Sequence, residues 1–340
     1  MYSKSLEKKL KELGIETGDQ IRIEKKDSAY EGLLMPKGEE TDIVLLKLEN
    51  GYNIGIDSSD AKVSLVKKAA KKPKKIEKDA TGKGEISILD WKVIAKEILN
   101  EIKDGAEGIV LMHGTDTMHY SSAAISFMVQ NPKVPIIFVG AQRSADRPSS
   151  ENEMNLLNAV YAAKSDLGEV GVCMHATTND DYCFIHRGTR VRKMHSSTRD
   201  AFKSINSKPL MAVNYREKKV ERLSDYRKRG GETKVDLDMN SNVALIYVHP
   251  NIKPALIKSL DSYDGVLLVG TGLGNAPTNP FGDKDAVPII KGIKGLTDSG
   301  VAVVMASQTI YGRLNMHVYT AGRLLIEAGV IGDQMDWTPE

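Results

Sequence analysis

The sequence predicts an α/β protein in which a small N-terminal β-barrel precedes two α/β domains with mainly parallel sheets. Three observations support this prediction. Residues 20–66 contain short runs with apolar side chains at period two, which is typical of antiparallel strands. Residues 85–340 alternate short apolar runs with helical patterns, which indicates β-α-β connectivity. At 340 residues, the chain has the length of two or three domains.

Composition narrows the class of protein. The net charge is only +2, with 27% charged residues, so the composition does not indicate a strongly charged partner for the whole chain. The two cysteines cannot form a disulfide framework and fit a reducing compartment. The N-terminal residues lack the apolar core of a signal peptide, and no apolar run has the length of a membrane span. We therefore expect a soluble, cytoplasmic protein.

The predicted N-terminal domain covers residues 1–66. A lysine-rich helix at 3–13 is followed by five strands, at 20–25, 30–35, 42–48, 52–56 and 62–66. Asn50-Gly51 is a strong hairpin signal, because a type I′ turn needs positive φ at both central residues. The domain contains no recognisable catalytic constellation.

Residues 67–84 are predicted to be a linker. They contain eight Lys against one Glu and one Asp, a composition that repels itself and cannot bury a core. One interpretation is a solvated tether. The other is a contact with phosphate groups, for which tRNA is an obvious source.

The first α/β domain is predicted at 85–215, a connection at 216–240 and the second α/β domain at 241–340. We interpret 176–240 as polar and irregular. In the first domain, strands are expected at Ile86–Leu89, Ile109–Met112, Val134–Gly140 and Gly171–His175, with helices at Trp91–Ile102, after Thr117 and at Asn152–Ala163. In the second, strands are expected at Val243–Val248, Gly265–Val269 and Val301–Ala306, with helices at Lys253–Leu260, Ala286–Leu296 and Val318–Ala328.

The stretch around Thr115 and Asp116 is the strongest candidate for a site. It follows the apolar strand Ile109–Met112 and opens a helix, which places polar groups at the carboxyl edge of a parallel sheet, where ligands bind. A hydroxyl beside a carboxylate at a helix start fits acyl transfer. The alternative is that both residues only cap the helix.

Three other features each allow two interpretations. Gly270–Asn275 follows a strand but lacks the dinucleotide spacing, so we favour a tight loop over a nucleotide site. A second group of residues has the side-chain types that bind zinc, although it contains no Cys-x-x-Cys pair. These residues either form a zinc site or are ordinary core and loop residues. Its members are Cys173, His175, Cys183, His186 and His195. Lys193 lies in a polar loop and is either a solvated charge or, if buried beside a carboxylate, a group that orients and deprotonates a hydroxyl.

Several ordered motifs together resemble the asparaginase/glutaminase family, in the form found in tRNA-dependent amidotransferases. The resemblance covers nearly the whole chain, including the N-terminal β module. The motifs are His113–Met118, Gly140–Arg143, Val191–Met194, Ser307-Gln308, Gly312–Asn315 and, in the β module, Leu48–Gly55.

The resemblance implies an asparaginase-type fold for both α/β domains and a threonine-dependent amidohydrolase. Thr115, Asp116 and Lys193 would be the catalytic residues: Asp116 binds the substrate's α-amino group and holds Lys193, Lys193 assists proton removal, and Thr115 is a hydroxyl relay or nucleophile. Glutamine or asparagine would be the substrate. A synthetase-like partner in the amidotransferase complex would use the ammonia, with ATP and Mg²⁺, to convert Glu-tRNA(Gln) to Gln-tRNA(Gln). No cofactor or metal is expected in this chain. The chain is expected to form a homodimer.

The chain departs from the family pattern after Leu89. There the family has a Thr-Gly-Gly-Thr segment with its first threonine, whereas here Asp90-Trp91 follows at once. The family's C-terminal helix is also not found after Glu340. Three explanations are open: a segment missing from the sequence as read, a truncated gene, or a catalytically inactive scaffold. A free-standing L-asparaginase is a further alternative for the function.

Overall fold

The computed structural model describes residues 2–26, 28–36, 42–49, 52–68, 86–145, 147–278, 283, 285 and 287–340. The chain divides into two compact units, Met1–Gly84 and Glu85–Glu340, each of which makes most of its contacts within itself. The predicted boundaries at 66/67, 215/216 and 240/241 stay predictions. Within the described ranges, no helix is both long and apolar enough to cross a bilayer.

The first unit is an antiparallel sheet with one helix. Helix α1 (Lys4–Glu12) is capped by the Ser3 hydroxyl, which accepts a hydrogen bond from the Leu6 amide at 3.2 Å. Its buried face, Leu6 and Leu10, belongs to the same core as the inward side chains of the first strand. The strands are β1 (Gln20–Lys25), β2 (Ser28–Leu34), β3 (Ile43–Lys47), β4 (Asn53–Asp57) and β5 (Lys62–Lys67).

These strands pair in the order β4-β3-β2-β1-β5. The prediction of one helix and five strands for this unit is confirmed. The Asn50-Gly51 turn and linker residues 69–84 lie outside the described residues.

The second unit begins with a mixed sheet and three helices. Its elements up to residue 240 are, in chain order, α2 (Ile88–Lys103), β6 (Ile109–Met112), α3 (Met118–Met128), β7 (Val129–Gln130), β8 (Ile136–Val139), α4 (Asn152–Ala162), β9 (Val170–His175), β10 (Cys183–Arg187), β11 (Val191–Lys193), β12 (Phe202–Ser204), β13 (Met211–Asn214), β14 (Lys219–Arg222) and β15 (Lys234–Val235). The main sheet has the order β14-β13-β10-β9-β8-β6, and β7–β15 and β11–β12 are two-stranded ribbons.

Helices cover both faces of this main sheet. In β8, Ile136 and Phe138 pack in one core cluster with residues of α2 and α3, whereas Ile137 and Val139 pack in another with residues of α4. Successive strand residues point to opposite faces, so a run that is apolar throughout needs cover on both sides. Strands β6, β8 and β9 are parallel, as predicted.

Strand β6 is the outer strand of the main sheet. It pairs with β8, and no described strand pairs with its other side. Its residues Ile109, Val110 and Leu111 are only half-buried, and Met112 is 69% exposed. The strand that leads into the candidate site therefore has one open edge within the described part of the chain.

The predicted strand Ile86–Leu89 is wrong. Helix α2 already begins at Ile88, and Ser87 is its N-cap residue. The Asp90 carboxylate accepts hydrogen bonds from the Ser87 amide, at 2.9 Å, and from the Ser87 hydroxyl, at 2.8 Å. This capping pair favours a helix start over a strand, and the three apolar residues among 86–89 do not outweigh it. Leu89 consequently lies on the helix surface, 72% exposed.

The interpretation of 176–240 as irregular is also wrong. This region supplies β10, β13 and β14, which extend the main sheet with antiparallel pairs, and the ribbon strands β11 and β12. The main sheet is therefore parallel from β6 to β9 and antiparallel from β9 to β14. Strands of three to five residues that mix charged and apolar side chains carry little periodic signal, which explains the error.

The remaining elements form a fully parallel three-stranded sheet with helices. They are β16 (Val243–Tyr247), α5 (Pro254–Lys258), β17 (Gly265–Gly270), α6 (Ile290–Asp298), β18 (Ala302–Ser307) and α7 (Thr320–Glu327). The strand order is β16-β17-β18, and both pairs are parallel. The predicted alternation of strands and helices in this region is confirmed, with ends shifted by a few residues.

A buried histidine, His186, lies on β10. Its side chain is 1% exposed, its Nδ1 lies 2.8 Å from the Ser204 hydroxyl, and its Nε2 has no hydrogen-bond partner among the described residues. Burial lowers the pKa of His186 from 6.5 to about 3, and the nearby Lys203 charge adds to the shift.

His186 is expected to make the fold sensitive to mild acid. Between pH 7 and 5 the unfolded imidazole takes up a proton and the buried one does not, so the free energy of unfolding falls as the pH falls. The loss is about 2 kcal/mol for this one group. His186→Gln removes this part of the pH dependence, as measured by urea unfolding at both pH values. His195→Gln, which removes an exposed imidazole, is the matched control. Equal pH dependence in both variants would show that His186 is not buried in this way.

Candidate active site

The site lies where β6, β8 and β11 end. Thr115 and Asp116 stand between β6 and α3, Gln142 follows β8, and Lys193 is the last residue of β11. Carboxyl ends of parallel strands meet at one edge of a sheet, so β6 and β8 deliver their loops to the same place. The structure thus brings together all three residues predicted to be catalytic.

Lys193 makes the central contacts. Its Nζ donates hydrogen bonds to the Thr115 hydroxyl, at 2.9 Å, and to Asp116 Oδ1, at 2.6 Å. The Lys193 side chain is 9% exposed, whereas the Asp116 side chain is 92% exposed. The amine is therefore enclosed, and the carboxylate faces open space.

The backbone around Lys193 is held by a β ribbon. Lys193 pairs with Phe202 across β11 and β12, and the Met194 amide donates to the Ala201 carbonyl at 2.7 Å. Val191 and Phe202 are buried in the core that α2 and α3 share with the main sheet. The position of Lys193 is thus fixed by packing as well as by its ion pair.

Gly140 allows the two loops to approach each other. A Cβ atom at this position would lie 2.5 Å from the His113 carbonyl oxygen and 3.2 Å from Thr115 Cγ2, so only glycine fits. The Asn155 amide donates to the Gly140 carbonyl at 2.9 Å, and the Thr115 hydroxyl donates to Gln142 Oε1 at 3.5 Å. Thr115 Oγ1 therefore accepts from Lys193 and points its own proton towards Gln142.

The electrostatics of the site follow from the lysine. The Lys193 ammonium lowers the pKa of the Asp116 carboxyl below its ordinary value of 3.8, by a hydrogen bond and by its charge. The helix cap is a different residue, because α3 has Thr117 at its N-cap and no side-chain capping bond there. The hydrogen bonds of Thr115 and Asp116 connect them to the lysine instead.

An open cavity of about 550 Å³ lies beside these groups. Its lining residues are Asp116, His119, Arg192, Lys193, Met194, His195 and Ser196. His119, Arg192 and Gln142 were not assigned a role from sequence. A local signal was present only for His119, which lies three residues after Asp116, in the first turn of α3.

The cysteine and histidine residues do not assemble into a metal site. Cys183 and His175 are cross-strand partners, and both contact the Asn155 side chain, with Cys173 nearby. His186 and His195 lie apart from them, with Ser204 and with the amides of residues 197 and 198 respectively. No group of three potential ligands is found in the described part of the chain.

The tight-loop interpretation of Gly270–Asn275 is confirmed. Thr271 and Asn275 exchange backbone hydrogen bonds, each of 2.9 Å, and Gly272 and Gly274 both have positive φ. The Ser307 hydroxyl donates to the Gly272 carbonyl at 2.6 Å. The loop is closed on itself and on the end of β18.

Comparison with family models covers most of the chain. The asparaginase N-terminal model matches residues 53–226, the glutaminase/asparaginase C-terminal domain model matches 242–340, and the GatD N-terminal domain model matches 15–66. Fold and site together therefore define an asparaginase-type amidohydrolase.

The curated relatives give the narrower assignment. The chain is 39% identical to the GatD subunit of glutamyl-tRNA(Gln) amidotransferase from Methanothermobacter thermautotrophicus, over 97% of this chain and 88% of the relative. It is 40% identical to the GatD subunit from Pyrococcus furiosus, over 98% and 90% respectively. The chain belongs to the GatD family of glutamyl-tRNA(Gln) amidotransferase subunits. The alignment with the Methanothermobacter thermautotrophicus relative is 394 positions long with its gaps, which is 54 more than the 340 residues of this chain.

Solved structures agree on the fold. The thermostable L-asparaginase of Thermococcus kodakarensis superposes with a TM-score of 0.65 at 31% identity, covering 73% of this chain and 71% of that one. L-asparaginase I of Vibrio cholerae gives 0.64 at 31% identity, covering 75% and 73%.

The Lys193 contacts can be tested without an activity assay. Lys193→Met keeps the length of the side chain and removes its charge, so the pKa of Asp116 should rise back towards its ordinary value. Carbon-detected NMR titration of the Asp116 carboxyl measures this change. Lys203→Met, which breaks the ion pair with Asp200 instead, serves as the control. An unchanged Asp116 titration in Lys193→Met would show that the two groups do not meet.

Proposed function

We propose that this chain is the amidohydrolase subunit of a tRNA-dependent amidotransferase and releases ammonia from the side-chain amide of glutamine or asparagine. A partner subunit would use this ammonia to convert Glu-tRNA(Gln) to Gln-tRNA(Gln). The observation that carries the proposal is the contact of the Lys193 amine with both Thr115 and Asp116, in a chain of this family.

The geometry supports distinct roles for the three residues. The exposed Asp116 carboxylate suits the α-ammonium group of an amino acid. The Lys193 amine lies within proton-transfer distance of the Thr115 hydroxyl. Lys193, as the neutral amine, would take the proton of the attacking hydroxyl and pass it to the amide nitrogen, so that the C–N bond breaks and ammonia leaves. Water then cleaves the acyl ester, which gives the free acid and restores the hydroxyl.

We expect turnover by this chain alone to be strongly impaired. An acyl intermediate needs its nucleophile, and the family's first-threonine segment has no counterpart after Leu89. The open edge of β6 is the side of the main sheet on which a further strand can pair. The lack of a counterpart to the first-threonine segment favours a second candidate function, a catalytically inactive scaffold within the same complex.

The partners are part of the proposal. They are glutamine or asparagine as substrate, a synthetase-like partner subunit that uses ATP and Mg²⁺, and Glu-tRNA(Gln) bound by the complex. We propose no cofactor or metal for this chain itself. A free-standing L-asparaginase is the third candidate, since the similar solved structures carry that name.

Ammonia release from glutamine and asparagine separates these candidates. The assay compares this chain alone, with the partner subunit, and with partner and Glu-tRNA(Gln). For the amidotransferase subunit, release rises with the partner and is lost, by about a hundredfold or more, in Thr115→Ala and Lys193→Ala. Lys203→Ala is the control and should keep full activity, because Lys203 does not line the cavity.

Each alternative has its own outcome in this assay. No ammonia under any condition, with complex formation retained in a pull-down with the partner, supports the scaffold. Equal turnover with and without partner and tRNA supports the free-standing asparaginase. Release that survives both Thr115→Ala and Lys193→Ala would contradict the proposed site.

We also propose that the protein is a homodimer, which with two copies of the synthetase-like partner gives a heterotetramer. Multi-angle light scattering of the purified chain at micromolar concentration should give twice the mass of 37.3 kDa. A monomeric mass across the concentration range would contradict this expectation.

A further inference from the structure

A second cavity, of about 290 Å³, lies away from the candidate active site. Pro132, which precedes β8, and Val170, the first residue of β9, both line it. The candidate active site lies at the carboxyl ends of the parallel strands, so this second cavity is at the opposite edge of the main sheet. The two cavities share no lining residue, and the proposed reaction does not use the second one.

A tight turn at Gly188 forms one wall of this cavity. The Gly188 amide donates to the Val170 carbonyl at 2.9 Å, and the Gly188 carbonyl accepts from the Ser122 hydroxyl at 3.0 Å. A Cβ atom at residue 188 would lie 3.0 Å from the Ser122 carbonyl oxygen, so glycine allows the turn to pack closely on α3. Arg187 and Thr189, which flank this glycine, consequently both line the cavity.

Two arginines of the lining are held by contacts within the protein. Arg187 Nε and Nη2 donate to the two oxygens of Glu169, at 2.7 Å and 3.4 Å. Arg227 Nε donates to the Gly168 carbonyl at 2.9 Å, and its Nη1 donates to the Asn131 side chain. The orientation of both guanidinium groups is therefore set before a ligand binds, which reduces the entropy that binding costs.

Some donors of the lining remain available for a ligand. Arg187 Nη1, Arg227 Nη2 and the Thr189 hydroxyl donate to no residue that the structure describes. Both oxygens of Glu169 are already bound, because its Oε1 also accepts from the Arg227 amide at 2.7 Å. Two guanidinium groups against this one carboxylate leave the lining with a net positive charge.

The end of α3 also lies at the cavity, through Ser126 and Val129. The free carbonyl groups of a helix C-terminus disfavour an anion. Here, however, the Phe127 carbonyl accepts from the Gln130 side chain at 3.2 Å, and the Met128 carbonyl accepts from the amide of residue 236 at 2.8 Å. These carbonyl groups are thus paired, and the two guanidinium charges dominate the cavity.

The arrangement of the remaining donors favours a tetrahedral oxyanion over a carboxylate. A planar carboxylate binds best to two parallel N–H groups of one guanidinium. On Arg187, one such pair is already taken by Glu169. The donors that remain belong to three separate residues, Arg187, Arg227 and Thr189, and each can reach a different oxygen of a phosphate group.

We propose that this cavity is a binding site for a phosphate group. The Arg187 and Arg227 guanidinium groups and the Thr189 hydroxyl donate to the phosphate oxygens. The cavity is larger than a phosphate ion requires, and part of its lining is apolar, which suits the organic part of a small phosphate monoester. This apolar part is formed by Val129, Pro132 and Val170.

NMR titration of the full chain tests the site without requiring turnover. The ligands are glycerol 3-phosphate, inorganic phosphate and, as the planar anion, acetate. Both phosphate ligands should bind saturably and shift the amide signals of residues 187–190, and acetate should bind at least about tenfold more weakly. Tighter binding of glycerol 3-phosphate than of inorganic phosphate supports a monoester as the ligand, and equal affinity supports the free ion.

Three variants test the assignment of the donors. Arg227→Gln removes one charged donor and should weaken phosphate binding by about tenfold or more. Thr189→Val keeps the shape and charge of the lining and should weaken it by about threefold, which provides a test even if Arg227→Gln does not fold. Arg216→Gln removes the same charge outside the cavity, where Arg216 contacts only its neighbour Tyr215, and should leave binding unchanged.

The outcomes are independent of the proposed function, because none of them depends on ammonia release. Phosphate binding that weakens in Arg227→Gln and Thr189→Val but not in Arg216→Gln supports the site, even in a chain without turnover. The site is overturned if neither phosphate ligand binds saturably, if acetate binds as tightly as phosphate, or if both cavity variants bind phosphate as the unchanged chain does.

Discussion

The candidate site depends on one amine. Lys193 connects the loop after β6 to the ribbon β11–β12, because its Nζ contacts Thr115 and Asp116 at the same time. Because one partner, Asp116, is almost fully exposed, the ion pair by itself contributes little to stability. Its importance is positional, since it holds a hydroxyl and a carboxylate at one side of a cavity.

The fold supports this contact from two directions. Packing of Val191 and Phe202 in the core fixes the ribbon, and the close approach of the β6 and β8 loops at Gly140 fixes Thr115. Side chains held by rigid elements keep a site in register more reliably than long loops do. The same ribbon also carries Arg192, so one short element supplies both the amine and a second cation that lines the cavity.

Much of the fold could be predicted from sequence, and the failures have physical causes. Ile109–Met112 was predicted at the observed bounds, because a fully apolar run before Gly and Thr has few alternatives. Ile86–Leu89 failed, because the Ser87–Asp90 capping pair decides the local structure. The strands in 176–240 were not predicted, because their short sequences mix charged and apolar residues and become strands only by pairing within the sheet.

The site was predictable only in part. Thr115 and Asp116 stood out locally, but Lys193 is 77 residues from Asp116, and only the resemblance connected them.

The open edge of β6 also has a consequence for handling the protein. An apolar parallel strand with unpaired backbone groups is a template for strand addition by other chains, and native proteins usually cover or shorten such edges. Here Met112 is exposed and Ile109 to Leu111 are only half-buried, next to the loop that carries Thr115. The edge that is open to strand addition thus adjoins the candidate site, and a strand added there would lie beside the loop that carries Thr115.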